Sequence, residues 1–420
     1  MTNPLNPENY EATGLEFQAE NTQSNLTFVN LGPSHPATHG TLRALCALEG
    51  ETIVAAVTEI GYLHRGFEKD AEVHTYQQVI PYTDRLNYVS AIMNNVGWCK
   101  AIERMLEITI PPRAVYIRVL TSELNRIIDH LVCVGANLVD IGGLSNFWYT
   151  FNVREKVYDI LEKLCGARLT SSYMRLGGVA HDLYEGFEND LKVVLKEIWQ
   201  SVKQFSKLNN NKIFLNRTRN ICVVPKEMAI AYGWTGPTLR ASGINYDLRK
   251  EEPYYCYPDL EFEVPVGTIG DIYDRIFVRM LEIEESIHMI EQLLKKIPTG
   301  PVFTEDKRVA LPPKTQTYGN IEGLMNHFKL IIHGVCPDQG EIYDVTESAN
   351  GELGFYVISD GGKNPYRVKC RPPCFMNFAA YHEMIEGHLI ADAIANLGSI
   401  NIIAGELDNS NMALPCVNHN

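Results

Sequence analysis

The sequence predicts an α+β fold, from three features read in chain order. Short apolar runs separated by Gly-containing turns occupy residues 26–60, long one-sided helical periodicities fill 61–298, and a strand-and-loop pattern follows Pro298. A small N-terminal antiparallel β unit, a central helical bundle and a C-terminal β/loop-rich region (299–408) are therefore expected. The chain has 420 residues, 45% of them apolar and 21% charged, enough to bury a sizeable core. No low-complexity linker divides it into independent domains.

Residues 1–25 contain no Lys or Arg and no apolar stretch, so a secretory signal or transit peptide is not expected and the segment reads as a disordered acidic lead. "NLTFVNL", "TLRALCAL" and "TIVAAVTEIG" then read as strands, and "LGPSHPATHG" (31–40) is a strand-to-strand loop. In "SELNRIIDHLVCVGANLVD", Leu124, Ile127, Ile128, Leu131, Val134 and Leu138 recur three or four apart and mark one helix face. Leu191, Val194, Leu195, Ile198, Val202 and Phe205 do the same in "FENDLKVVLKEIWQSVKQF". A third helix carries Ile272, Ile276, Met280, Ile283, Ile287, Ile290 and Leu294, with Asp271 suited to its start and Pro298 just past its end. Several such helices without a repeat imply a bundle. Downstream, "GEIYDVTESANGELGFYVISDGG" reads as a hairpin with "ANGE" at its tip.

Charge and composition exclude several functions. A net charge of −14 argues against a nucleic-acid partner, because phosphate binding requires a basic face. No run reaches the roughly 18 apolar residues of a membrane span. The most apolar late stretch, "LIADAIANLGSINIIAG", is interrupted by Asp392, Asn396 and Asn401. Contact with a membrane would thus come through a partner. The ten cysteines form no CxxC pair; "CRPPC" (Cys370, Cys374) comes closest, and one such pair cannot complete a four-ligand site. They read as buried or loop thiols.

His35 and His39 in "LGPSHPATHG" have the i, i+4 spacing of a helical metal pair. Pro36 removes that meaning, because it pushes His35 out of the α region and cannot sit in a helix interior. Pro33 and Pro36 stiffen the loop, and Gly32 and Gly40 permit unusual dihedrals. Read alone, such a loop is either a structural turn or a rigid holder for an imidazole.

Six blocks carry a family resemblance: "LGPSHPATHGTLR", "EIGYLHRGFEK", "TYQQVIPYTDRLNY", "YIRVLTSELNRIIDHL", "GPTLRASGINYDLRK" and "TESANGELGFYVISDGGKNPYRVK". In this order, across roughly residues 26–408, they resemble the 49-kilodalton quinone-site subunit of respiratory complex I, the NADH:quinone oxidoreductase. The resemblance implies descent from the large subunit of nickel–iron hydrogenases and a similar fold. Hydrogenases hold their metals with four cysteines, and the corresponding positions here are Asn87, Ser90, Ile403 and Glu406. No thiolate remains, so hydrogen chemistry and a resident metal are not expected.

What the resemblance implies instead is a quinone headgroup bound in the emptied cavity. Reduction to quinol takes two electrons and two protons. The electrons would come from a 4Fe-4S cluster on a neighbouring subunit, and this chain would bind no cofactor itself. By resemblance the proton donors are His39 and Tyr88, residue types with suitable acidities, and Asp140 would hydrogen-bond His39 to fix its tautomer. His35, Pro36, Thr38 and Gly40 would shape the quinone loop. Arg85 would lie beside the neighbouring cluster and raise its potential. A cluster-linked His is common one residue before His181, where this chain has Ala180, so that role falls on His181 only out of register. Further departures are His74, where Arg is usual, and Asn87, where Asp is common. "GELDN" lacks the family's closing Arg, and 409–420 extend past its usual end.

The implied partners are the iron–sulfur subunit with the terminal cluster, the 30-kilodalton-type subunit and the membrane subunit of the quinone channel. The implied location is peripheral, on the cytoplasmic face of a bacterial inner membrane or the matrix face of an organelle. The competing expectation is a non-catalytic scaffold retaining the hydrogenase fold. The two differ in whether His39, Tyr88 and Asp140 converge on one cavity, with Asp140 behind His39.

Overall fold

A computed structural model describes residues 10–11, 14–15, 26–205, 207–208 and 211–408. It mixes long helices with small antiparallel sheets, in agreement with the α+β expectation. Of the expected acidic lead, Tyr10–Glu11 and Gly14–Leu15 are described and pair with each other. The rest of that lead, and the extension from 409 onward, lie outside the described residues.

Strands Thr27–Leu31, Leu42–Glu49 and Thr52–Ile60 form the first sheet in chain order, with Leu31 opposite Ala44 and Leu45 opposite Val57. Alternation places Leu42, Ala44, Cys46 and Leu48 on one face. That face is buried not on its neighbours in sequence but on Phe378, Tyr381, Met384, Leu397 and Leu407. The two ends of the chain therefore share one core, which brings the His35–His39 loop to the C-terminal helices.

The longest helix, Pro112–Asp140, buries the expected stripe: Leu124, Ile127, Ile128, Leu131, Val134 and Leu138 are all within 1% of complete burial. Helices Leu144–Cys165, Ile272–Lys296 and Ile390–Ile400 pack around it. Gly135 permits the first of these contacts, because a Cβ there would stand 2.3 Å from Thr150 Oγ1. Asp271 caps Ile272–Lys296 by accepting a 2.8 Å bond from Asp274 N. That helix's stripe drifts at its end: Leu293 is fully buried, whereas the expected Leu294 is only partly so.

Strands Gly340–Ser348, Gly351–Ser359 and Arg367–Arg371 form the second sheet, with Ser348 opposite Gly351 across a turn at Ala349–Asn350. It packs on helix Ala91–Met105, where the Phe355 and Trp98 rings meet edge to face at 5.6 Å. Among the described residues, no helix is long and apolar enough to cross a membrane.

The centre of the bundle is also charged. Arg118 meets Glu103 through two bonds of 2.7 and 2.6 Å. Arg240 pairs with Glu282 and Glu347, Arg249 with Asp247 and Glu123, and His130 with Glu282 at 2.8 Å, all essentially inaccessible. Burial opposes the charge on Glu282, but the facing Arg240 guanidinium prevails and holds its carboxyl well below the usual range. These pairs tie the long helix to the 240–249 segment and the second sheet.

Candidate functional site

The loop at residues 31–40 closes as a single 3-10 turn, Pro36–Thr38, flanked by the two histidines. His35 is extended (φ −135°) and its Nδ1 accepts a 3.2 Å bond from Ala37 N. His39 ends the turn in the left-handed region (φ 53°), and Gly40 follows at φ 74°. The buried Thr38 donates its hydroxyl to His35 O at 2.9 Å, which locks the turn from inside. The two rings thus share no helical face, and the loop presents His39 at its outer end. The surface of His39 is open, yet the protein crowded around its ring lowers its pKa by desolvation, which favours neutral imidazole.

Asp140 ends the long helix, partly buried. Its carboxylate lies against Gly398, where a Cβ would stand 2.7 Å from Oδ2. Burial alone pushes its pKa up to about 6. The hydrogen bond expected between Asp140 and His39 is not formed. Helix Ile390–Ile400 touches both the Pro36–Thr38 turn and the long helix, and Asp140 rests on that helix.

Tyr88 sits at a rim, 37% exposed. Burial raises its pKa first, the Cys374 thiol adds to this, and the Ala404 N–H facing the phenol works against it. Behind Tyr88 is a buried polar cluster. Asn87 Nδ2 donates to Asp129 Oδ2 at 3.1 Å, while Asn87 Oδ1 accepts from Val89 N and Ser90 N, both at 3.1 Å. Asn401 Nδ2 donates to Asp129 Oδ1 at 2.7 Å and to Asn350 Oδ1 at 2.6 Å. The Cys374 thiol donates to Asn401 O at 3.4 Å and accepts from Ile403 N at 3.5 Å.

Asn87, Ser90, Ile403 and Glu406, from opposite ends of the chain, are all buried, and Asn87 and Glu406 face each other across this cluster. The close approach depends on Gly405, where a Cβ would lie 2.3 Å from Arg85 O and 2.5 Å from Leu86 O. An amide, a hydroxyl, an alkyl group and a carboxylate are a poor set for soft-metal binding. Cys374 is the thiol beside Glu406. Burial pushes the Glu406 pKa up to about 7, against the Cys374 and Asn87 groups that face it.

Arg85 is exposed, donates to Pro81 O at 2.5 Å and accepts Arg65 Nη2 at its carbonyl at 2.6 Å. With Arg65, Tyr82 and Asp408 it lines a cavity of about 240 Å³. His181 is exposed on another segment, its carbonyl accepting from Tyr173 Oη at 2.6 Å, and no hydrogen bond joins it to Arg85. A larger groove of about 1220 Å³ runs between Gln78, Pro81, Arg175 and Phe303, and neither His39 nor Tyr88 lines it.

Sequence reasoning passed over Asp129, Asn350, Cys374 and Asn401. Asp129 left a signal, being a carboxylate inside a stretch whose other face is wholly apolar. Cys374 left none beyond an isolated "CRPPC".

A family model described as "Respiratory-chain NADH dehydrogenase, 49 Kd subunit" matches residues 140–409. The chain is 55% identical to an NADH-quinone oxidoreductase protein of Bdellovibrio bacteriovorus, whose name joins two subunits in one, over 381 residues, 90% of this chain and 68% of that protein. It is 46% identical to an NADH-quinone oxidoreductase subunit of Leptospira biflexa over 402 residues (95% and 99% of the two chains). It is also 46% identical to the subunit of the same name in Myxococcus xanthus over 417 residues (97% and 100%).

Proposed function

The chain belongs to the 49-kilodalton subunit family of respiratory-chain NADH dehydrogenase, and from that premise we propose that it forms the cavity in which a quinone is reduced. The relatives are named as subunits of an NADH-quinone oxidoreductase, so this chain works as part of an oxidoreductase complex. The proposal extends to a hydrogenase-like fold whose metal cavity has become a quinone site. The observation that carries it is the half-open Tyr88 at the edge of the buried cluster that joins Asn87 to Glu406.

In this reading Tyr88 holds one quinone oxygen through its hydroxyl and gives it a proton. His39, at the outer end of a locked turn, serves the other oxygen. A neutral His39 accepts a proton from solvent or from Asp140 before passing it on. With no His39–Asp140 bond in this structure, the loop has to move for the two to couple. Positively charged Arg85 faces the neighbouring subunit, whose 4Fe-4S cluster supplies electrons and which closes the cavity. His181 has a weaker claim to the cluster side.

The iron–sulfur subunit, the 30-kilodalton-type subunit and the quinone-channel membrane subunit are the proposed partners. The Bdellovibrio relative carries a name that joins two subunits in one chain, which fits a close neighbour of the second kind. The complex is proposed to be proton-translocating, with this chain peripheral on the cytoplasmic or matrix face and inactive alone.

The scaffold reading draws on the missing His39–Asp140 bond. A photoreactive quinone carried into the assembled complex separates the two readings. Labelling that maps to the 31–40 loop and Tyr88, and that excess quinone suppresses, is expected. Labelling confined to other subunits would leave this chain as scaffold.

A further inference from the structure

The buried cluster behind Tyr88 contains a carboxyl group with no structural duty that the fold reveals. Glu406 is completely buried, and among the described residues no hydrogen bond of ordinary length and angle reaches either carboxylate oxygen, although the Cys374 thiol and the Asn87 amide lie against it. It is not a fold-holding ion pair, because no Lys or Arg among the described residues pairs with it. The groups that face it are the Cys374 thiol, the Asn87 amide and the Asp129 carboxylate. The Ala404 N–H faces the phenol of Tyr88, on which Cys374, Asp129 and Arg65 act electrostatically. Asp129 accepts hydrogen bonds from Asn87 and Asn401. Burial opposes a charge on Glu406, and the nearby Asp129 carboxylate adds to this. The Cys374 and Asn87 groups favour the charge, and the balance holds the proton on more tightly than in a free carboxyl.

We propose that Glu406 is the proton reservoir behind Tyr88: it returns a proton to the Tyr88 phenolate after Tyr88 has protonated the reduced quinone. The inference rests on the quinone reading of the site. The neighbouring iron–sulfur cluster delivers two electrons in successive steps, and one of the two protons taken up by the quinone oxygens comes from the Tyr88 O–H. Tyr88 is left as phenolate. The Glu406 O–H breaks, the Tyr88 O–H reforms, and Glu406 becomes a carboxylate that regains its proton from solvent before the next turnover. Transfer from a carboxylic acid to a phenolate runs downhill, since a phenol is by far the weaker acid. The route passes the Cys374 thiol, which lies against Glu406 and acts electrostatically on Tyr88. Glu406 does not touch the quinone; it acts through Tyr88.

The test uses the assembled complex in its membrane. Glu406→Gln keeps the shape and removes the proton. Quinone-linked turnover should fall about tenfold, whereas a single turnover, which spends the proton already on Tyr88, should keep its wild-type amplitude. Added formate, a small acid able to enter, should restore part of the turnover. Wild-type turnover in Glu406→Gln overturns the relay, as does a loss that appears equally in the single turnover. If Glu406→Gln does not assemble, Glu406→Asp retains an acid at altered distance. A displaced pH profile of quinone-linked turnover then supports the relay, and an unchanged profile overturns it. A silent Glu406→Gln beside an impaired Tyr88→Phe removes the relay and leaves the quinone reading standing, whereas a silent Tyr88→Phe removes both.

Discussion

Asn401 Nδ2 lies 2.7 Å from Asp129 Oδ1, fastening the turn after the last long helix to the middle of the longest one. Asn87 binds the other oxygen of the same carboxylate at 3.1 Å. One buried carboxyl group therefore gathers three segments that are remote in sequence. Asp129→Ala would remove one acceptor from each of two buried amides, Asn401 keeping its bond to Asn350, at a cost on the order of 1–3 kcal/mol. The midpoint of thermal inactivation of the assembled complex should drop clearly. An unchanged midpoint would mean that water or a rotated amide replaces the carboxylate.

Gly398 offers a geometric test of how Asp140 is held. A Cβ there meets Asp140 Oδ2 at 2.7 Å and Asn137 Nδ2 at 2.6 Å. Gly398→Ala should displace the Asp140 side chain and weaken the 2.8 Å bond from Asn137 to Ala395 O. Quinone-linked activity is expected to fall while the complex still assembles. Wild-type kinetics together with an undisplaced Asp140 in a structure of the variant would contradict this.

Buried and exposed ion pairs should behave differently. Arg118 and Glu103 are almost wholly inaccessible and doubly bonded, so Glu103→Ala strands a buried guanidinium and should cost roughly 3–5 kcal/mol. Arg168 reaches Glu155, Asp159 and Glu162 on the surface, where solvent screens each contact. Arg168→Ala should leave stability nearly unchanged. Denaturant midpoints compared within one series decide the matter, and equal effects would contradict it.

The Asp140 carboxyl gives a pH signature of defined sign. Its pKa is about 6 in the folded chain against an ordinary 3.8, so the folded state holds this proton more tightly. Well below pH 4 both states are protonated and nothing is lost. As pH rises through about 6, folded Asp140 must ionise in a desolvated place, and stability is lost. His39, with its pKa lowered by burial, acts in the opposite sense, its contribution being present above 6.5 and lost toward acid. Asp140→Asn should therefore stabilise the complex at pH 8 and make little difference near pH 4. Thermal midpoints at both pH values check this, and a destabilised variant at pH 8 would show that Asp140 is paired after all.

The helices could be read from the sequence because burial repeats every three or four residues, as at Leu124 to Leu138 and at Leu191 to Phe205. The strands of 26–60 could be read from short apolar runs between glycine-containing turns, the middle one, Leu42–Glu49, being buried almost throughout. Hidden from the sequence was the partner of the first sheet, since apolar alternation names a buried face but not what covers it. The site divides similarly. Pro36 foretold that His35 and His39 share no helix face. The Asp129–Asn401–Asn87 cluster could not be foreseen, because hydrogen bonds across 272 residues leave no local pattern. The His39–Asp140 bond, implied by resemblance, is absent from the structure.

Whether Tyr88 holds and protonates a quinone is decided by Tyr88→Phe. The substitution keeps the ring's packing and removes one hydrogen bond and one acidic proton. The measurement is the ratio of quinone-linked NADH oxidation to NADH oxidation by an artificial acceptor, in assembled membranes. Loss of a positioned general acid typically lowers the rate by about 10²–10⁴-fold, so the ratio should fall by at least the lower part of that range with the denominator unchanged. A ratio equal to wild type across several quinone chain lengths would contradict the account and leave Tyr88 as packing.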